Sequence, residues 1–300
     1  MAPLRVVALT SLAMVAFAGN SLLCRLALKQ TGIDAASFTG IRLASGALVL
    51  WLLVTLRQRA QAGALPGRGN WLSACALFVY ALAFSLAYVS LSAATGALLL
   101  FGAVQATMIA RGLWSGERLH ALQWAGFLLA LGGLVGLLLP GLTAPPLASA
   151  AWMLAAGVAW GVYSLRGKGA GDPTQVTAGN FMRTVPMAAA ASALILLGAS
   201  HGSDANQGSS WVKPTVDVAG FAYALASDAI TSGLGYAIWY TALPALKAAT
   251  AATVQLSVPA IAAFGGVLLL DESLSPRLGL ASLAILGGIA LVILDGRRSR

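Results

Sequence analysis

Apolar residues in this chain neither alternate nor recur once per helical turn. They run in long blocks separated by short polar gaps. A helix needs about 20 consecutive apolar residues to cross a bilayer's hydrocarbon core, and blocks of that size recur about every 30 residues here. Ten membrane spans are predicted, at 5–28, 35–56, 70–91, 95–114, 120–139, 147–166, 175–198, 218–242, 246–270 and 276–295. The seventh is the least regular, because Asn180, Arg183 and Pro186 interrupt it. The gap Ser200–Asp217 is rich in Gly, Ser, Asn and Asp and reads as an exposed loop. Ala16-Phe17-Ala18 fits the small-x-small site of a cleaved secretory signal. The apolar run nevertheless continues through Cys24, so the first block is read as a retained helix.

Composition explains the blocks by lipid. The 300 residues are 59% hydrophobic and 9% charged, against roughly 45–50% and about 25% in soluble domains, and the mean hydropathy is +0.84. A net charge of +9 would suit a nucleic-acid partner only if the basic residues clustered on one face or arm. They sit singly or in small groups between spans, so no nucleic-acid partner is expected. Twelve Lys or Arg residues, among them Arg57, Arg68, Arg111, Arg166, Lys168 and Lys247, fall in one set of gaps and termini. Four, Arg25, Lys29, Lys213 and Arg277, fall in the other. Positive residues stay in the cytoplasm, which places both termini there. Cys24 and Cys75 lie inside apolar runs and read as buried thiols, and His120 and His201 are isolated. No metal and no cofactor is implied.

The chain also repeats itself. Gly116-Glu117-Arg118-Leu119 matches Asp271-Glu272-Ser273-Leu274 at an offset of 155 residues, and Gly132-Gly133 matches Gly287-Gly288 at the same offset. Arg42 corresponds to Arg183, Ala18-Gly19 to Trp160-Gly161, and Tyr88 to Tyr240, in collinear order. The reading is an all-α polytopic membrane protein built from two five-helix halves, 1–143 and 144–300. Because five is odd, the second half enters the membrane from the opposite side. Inverted repeats of this kind belong to alternating-access transporters, whose substrate site lies near the midplane between the halves. Glycine, at 34 residues, supplies small-residue pairs for close helix packing at Gly132/Gly136 and Gly157/Gly161.

With its ten spans, inverted halves and mirrored Glu-x-Leu elements (Glu117-Arg118-Leu119 and Glu272-Ser273-Leu274), the chain resembles the drug/metabolite transporter superfamily, EamA type. The stretch Leu100-Phe101-Gly102-Ala103-Val104-Gln105-Ala106-Thr107-Met108 is similar to the YddG-type aromatic amino acid exporters within it. One departure is Val258-Pro259 in the ninth span, where the first half has Ala103-Val104. The resemblance implies a multi-pass carrier of the bacterial inner membrane that exports amino acids or related metabolites, with a small-molecule substrate and the lipid bilayer as partners. A monomer is the working expectation.

Polar groups inside a bilayer are costly, and each is a functional candidate. Asp228 falls near the middle of the eighth span, and Asp228, Ser232, Tyr236 and Tyr240 recur every four residues as one stripe. The carboxylate reads either as an ammonium-binding or proton-carrying group facing a cavity, or as protonated packing glue between helices. Arg42 and Arg183 read as scaffold because the repeat duplicates them; the rival reading is an anion site. Trp71, Trp114, Trp124 and Trp211 fall near span ends, as interface residues do. Tyr80, Phe84 and Tyr88 form a stripe on the third span, and Trp160 and Tyr163 on the sixth. Asn20 and Gln105 are buried polar groups that need partners.

The substrate-contacting candidates are Asn20, Tyr80, Phe84, Phe101, Gln105, Trp160, Tyr163, Asp228, Ser232, Tyr236 and Trp239. They would lie on helices one, three, four, six, eight and nine, around a cavity with aromatic walls. A sugar-phosphate or nucleotide-sugar antiporter of the same fold is the alternative, with Arg42 and Arg183 as its cations. An enzyme is not expected, since one Asp and two loop histidines supply no paired catalytic groups. A channel would show rings of repeated charge, and none is visible.

Overall fold

In lipid every backbone N–H and C=O must be bonded within the chain, which leaves helices or closed barrels. This chain folds as helices. The computed structural model describes residues 3–60, 68–91, 93–116, 120–138, 146–168, 170–201, 215–261 and 276–298. The elements are α1 (Pro3–Gln30), α2 (Ala35–Ala60), α3 (Trp71–Tyr88), α4 (Ala93–Trp114), α5 (Ala121–Leu138), α6 (Leu147–Gly167), α7 (Pro173–His201), α8 (Val218–Ala226), α9 (Gly233–Ala242), α10 (Ala248–Gln255) and α11 (Pro276–Arg298). A π-helical turn (Ser227–Ser232) joins α8 to α9, and a 3-10 turn (Leu243–Ala245) follows α9. No strand occurs among the described residues. Four helices there, Pro3–Gln30, Ala35–Arg59, Trp71–Tyr88 and Leu147–Gly167, are long and apolar enough to cross a membrane.

Helix starts follow ordinary capping chemistry. Asn70 accepts from the Ser73 N–H, Asp172 from Gln175 and Asp217 from Gly220, each satisfying a first-turn donor that has no partner within its helix. Asp34 does the same at α2, accepting from Ala36 and Ser37 at 3.0 Å. Large apolar side chains such as Leu12, Leu48, Trp51, Leu128 and Leu283 stand exposed on the outside of the bundle, where lipid meets them. Trp71, Trp114 and Trp124 are exposed too, near helix ends.

The helices pack in a definite pattern. α2 lies against α7, α5 against α11, α4 against both α6 and α10, and α3 against α6; the run α8–π turn–α9 lies against α1. Without a hydrophobic drive between helices in lipid, close approach of backbones supplies much of the association. A Cβ added to Gly288 would lie 2.4 Å from the Gly126 oxygen, and one on Gly157 would lie 2.5 Å from the Leu100 oxygen. A Cβ on Gly161 would lie 2.9 Å from the Thr107 side chain. The expected pair Gly132/Gly136 does not show this closeness at Gly132, where an added Cβ would meet nothing within 4 Å among the described residues. Cys75 is also corrected, since it is exposed and not a buried thiol; Cys24 is buried.

Three spans differ from their sequence outlines for identifiable reasons. The seventh runs as one helix through Pro186, and its polar residues find partners both beyond the helix and within it. Asn180 Oδ1 accepts from the Asn70 N–H at 2.9 Å, and Arg183 Nη1 donates to the carbonyls of Arg68 and Gly179, both at 2.7 Å. Gly69, at φ +67°, makes that approach feasible; a Cβ there would lie 2.4 Å from Asn180 Oδ1. The eighth span contains the π turn. The ninth breaks at Leu256, whose N–H bonds to Thr253 three residues back, and helix resumes over 257–261. Pro259 has no N–H to offer the Gln255 carbonyl and crowds it, which α4 avoids with Ala103-Val104. The mirrored Glu117 and Glu272 elements, Trp211, Lys213 and residues 202–214 of the expected loop lie outside the described residues.

The bundle has two unlike ends. At one, Arg57 donates to Thr174 Oγ1 (2.9 Å), Arg166 to Ser73 Oγ (3.1 Å) and Asn70 Oδ1 (3.2 Å), and Lys168 to the Leu246 carbonyl (2.7 Å). At the other, Thr215 binds Asp34 Oδ2 through its N–H and the Gly32 carbonyl through its hydroxyl.

Candidate functional site

The site begins where α2 meets the π turn. Arg42, in the second turn of α2, and Asp228, in the π turn, are each 1% exposed and form an ion pair with Arg42 Nη2 2.9 Å from Asp228 Oδ1. Arg42 Nε donates to the same oxygen at 3.0 Å. Longer contacts run from Nη2 to Asn20 Oδ1 (3.5 Å) and Ser232 Oγ (3.4 Å), and from Nη1 to Cys24 Sγ (3.5 Å). Ser227 donates to Asn20 at 2.5 Å, and the Arg42 guanidinium lies 5.6 Å from the Phe38 ring centroid. Two glycines admit the π turn: a Cβ on Gly46 would come 3.3 Å from Asp228 Cβ, and one on Gly19 3.3 Å from Thr231.

The π turn itself is held by i→i+5 bonding, with the Gly233 N–H on the Asp228 carbonyl. The Thr231 hydroxyl also bonds the Ser227 carbonyl. Single π turns inside α-helices occur frequently at functional sites, because the extra residue re-aims side chains.

Beside the pair stands a continuous set of aromatic rings. Trp160 on α6 is the hub, 4.7 Å from Tyr236, 5.1 Å from Tyr80 and 5.3 Å from Phe17 between ring centroids. Phe17 extends it to Trp239 at 6.1 Å, and Tyr236 to Tyr163 at 6.2 Å and Phe181 at 5.8 Å. Tyr80 continues it along α3 to Phe84 at 5.6 Å. Most of these contacts are edge-on or tilted, the arrangement ring quadrupoles prefer. Trp160 Nε1 donates to Gln255 Oε1 at 2.6 Å, and Gln255 Nε2 reaches Met108 Sδ at 3.2 Å, tying α6, α10 and α4 together. The Gln255 bonds sit one residue before the break at Leu256.

Of the sequence candidates, the structure brings Asn20, Asp228 and Ser232 to the ion pair and Tyr80, Phe84, Trp160, Tyr163, Tyr236 and Trp239 to the ring cluster. Phe101 and Gln105 are buried on α4, and no ring contact joins Phe101 to the cluster among the described residues. Asp228 is not an isolated carboxylate, and Arg42 is not the twin of Arg183. Arg183 is half-buried, braces two carbonyls at the bundle end and lies 5.7 Å from the Trp71 ring. The repeat matched their positions but not their surroundings.

Comparison with known proteins bears on the whole chain. It is 58% identical over 298 residues to Uncharacterized protein PA1977 of Pseudomonas aeruginosa, across 99% of this chain and 98% of that one. Residues 147–294 match the EamA-like transporter family. That segment, most of the second half of the chain, carries a domain of this family. A solved crystal structure, 21% identical, superposes with a TM-score of 0.75 over 97% of this chain and 99% of its own; at that identity the likeness shows the fold alone. A domain of this transporter family, in a chain of apolar helices, implies a membrane protein with a small-molecule substrate and the bilayer as its surroundings.

The arrangement has clear chemical content: a charge-balanced polar pair at one edge of a large aromatic surface. The sequence reading missed Phe17, Phe181 and Gln255, and it left helices two and seven out of the site. Gln255 was a polar residue within a predicted span and was open to the same reasoning as Gln105. Phe17 and Phe181 were not, because an isolated Phe in an apolar run looks like every other lipid-facing residue.

Proposed function

We propose that the protein is a secondary transporter that exports amino acids, aromatic or otherwise apolar, and related metabolites across the bacterial inner membrane by alternating access. In this reading its ten helices form two inverted halves, 1–143 and 144–300, resembling the YddG-type exporters. The observation that carries it is the Arg42–Asp228 pair set against the Trp160-centred ring cluster, which offers one charge of each sign beside an apolar surface. The helix pairing supports the inverted halves. Exchanging them maps the contacts α2–α7, α5–α11 and α4–α10 onto themselves, and maps α3–α6 onto the contact of α1 with the α8–α9 run. The substrate would meet Asn20, Tyr80, Trp160, Asp228, Ser232 and Tyr236, with Phe84, Phe101, Gln105, Tyr163 and Trp239 around them. Rocking of one half against the other would be eased by the break at Leu256.

A phosphate-type antiporter needs uncompensated cationic charge. Arg42 is matched by Asp228, and Arg183 is engaged with carbonyls at the bundle end, so the amino acid reading is preferred. Purified protein in proteoliposomes should show counterflow with a panel of apolar amino acids, tested with and without a pH gradient. Counterflow with sugar phosphates and not with amino acids would establish the alternative.

The charge bias places both termini and the Arg57–Arg166–Lys168 end in the cytoplasm. Ser90 and Ser115 are exposed near opposite ends. In a background lacking Cys24 and Cys75, a single cysteine at Ser90 should react with an impermeant thiol reagent in intact cells, and one at Ser115 should not. The reverse pattern inverts the topology.

A further inference from the structure

The Arg42–Asp228 pair is built unlike a structural ion pair. A guanidinium braces a carboxylate best with two parallel bonds to two oxygens, but here Nε and Nη2 both serve Oδ1. Oδ2 is buried with no hydrogen-bond partner among the described residues. On the other side, Nη1 is met by a thiol sulfur at 3.5 Å, a weak acceptor. Each half of the pair therefore keeps one strong bonding capacity unused: an acceptor on the carboxylate and a donor on the guanidinium. A buried pair of this kind is poor value for stability, since desolvation rivals the attraction it gains.

The two unused capacities match the two ends of an α-amino acid, and the apolar surface begins one helical turn from Asn20 and Ser232, the two residues that Arg42 Nη2 also reaches. Phe17 lies one turn from Asn20 on α1, and Tyr236 one turn from Ser232. We infer that this pair is the head-group site of the transporter, holding its own partner when unloaded and exchanging that contact for a zwitterion. The substrate ammonium goes to Asp228, its carboxylate goes to Arg42, and its side chain lies among Phe17, Trp160 and Tyr236. The inference rests on the transport reading above and adds a selection rule. Loaded with a zwitterion or unloaded, the site carries no net charge. A ligand with one charge leaves a buried ion unmatched, which is costly in a low-dielectric interior.

The test uses full-length protein in nanodiscs and three probes sharing one side chain: L-phenylalanine, phenethylamine and 3-phenylpropionate. Phenylalanine should bind, and each single-charge probe should bind at least about 10-fold more weakly, as expected for loss of one charged hydrogen bond. The paired variant Arg42→Met with Asp228→Leu removes both ions together. It should lower phenylalanine affinity roughly 100-fold and abolish the preference among the probes. The inference is overturned if the amine or the acid binds the wild type as tightly as phenylalanine, or if no probe binds. Retained preference in the paired variant overturns it equally. Should the paired variant not fold, the wild-type series decides. Counterflow of other metabolites alongside a failed probe series leaves the transport reading standing and removes this one; absence of counterflow with the whole panel removes the transport reading itself.

Discussion

Arg42→Met should leave almost no monodisperse protein after detergent extraction, while the paired change with Asp228→Leu should restore most of it. Removing one partner of a buried ion pair strands the other charge, at a cost of about 3–5 kcal/mol, whereas replacing both with apolar side chains of similar volume is often neutral or favourable. Both residues are 1% exposed, so neither charge can escape to water by a change of rotamer. Asp228→Asn tests the same point more gently. It keeps an oxygen for Arg42 but leaves the guanidinium's charge unmatched, so thermal stability should fall between the wild type and Arg42→Met. Size-exclusion profiles and melting curves of the four proteins suffice. Normal yield and melting for Arg42→Met would mean that the pair is not holding α2 to the π turn.

The second large effect is expected at Trp160. Lipid is as apolar as the bundle interior, so truncating a buried ring here forfeits packing and not burial from water. On the cavity contribution alone Trp160→Ala should destabilise by about 2–4 kcal/mol. Trp160→Phe separates the ring from its polar edge. It retains stacking against Tyr80, Tyr236 and Phe17 but leaves Gln255 Oε1 without its 2.6 Å donor, at about 1–3 kcal/mol. If the Trp160–Gln255 bond steadies the helix at the Leu256 break, Trp160→Phe should also slow counterflow several-fold. Equal melting temperatures for Trp160→Phe and the wild type would assign that bond no structural part.

Much of the fold was legible in the sequence because lipid imposes a simple rule. A chain crossing hydrocarbon must be helical, so the length of each apolar block nearly dictates an element; α1, α2, α3 and α6 follow their predicted outlines closely. Capping residues and end-of-span tryptophans are local signals of the same kind. The stripes Tyr80-Phe84 and Trp160-Tyr163 were also legible, since helical spacing fixes which side chains share a face.

What the sequence could not settle was which faces meet. Arg42 and Asp228 are 186 positions apart, and no local pattern links them. The repeat even suggested the opposite, by pairing Arg42 with Arg183. Their different roles arise because Arg183 has a turn at Arg68–Asn70 to bond with, while Arg42 faces the π turn. The π turn and the break at Leu256 likewise depend on packing: Gly46 and Gly19 make room for one, and Pro259 turns the other into a place where Gln255 can reach across to Trp160. The sequence by itself determined that this chain is helical and lies in a membrane, because hydropathy is a sum over residues. The site was decided only by tertiary structure, because an ion pair and a ring cluster are properties of two or more helices at once.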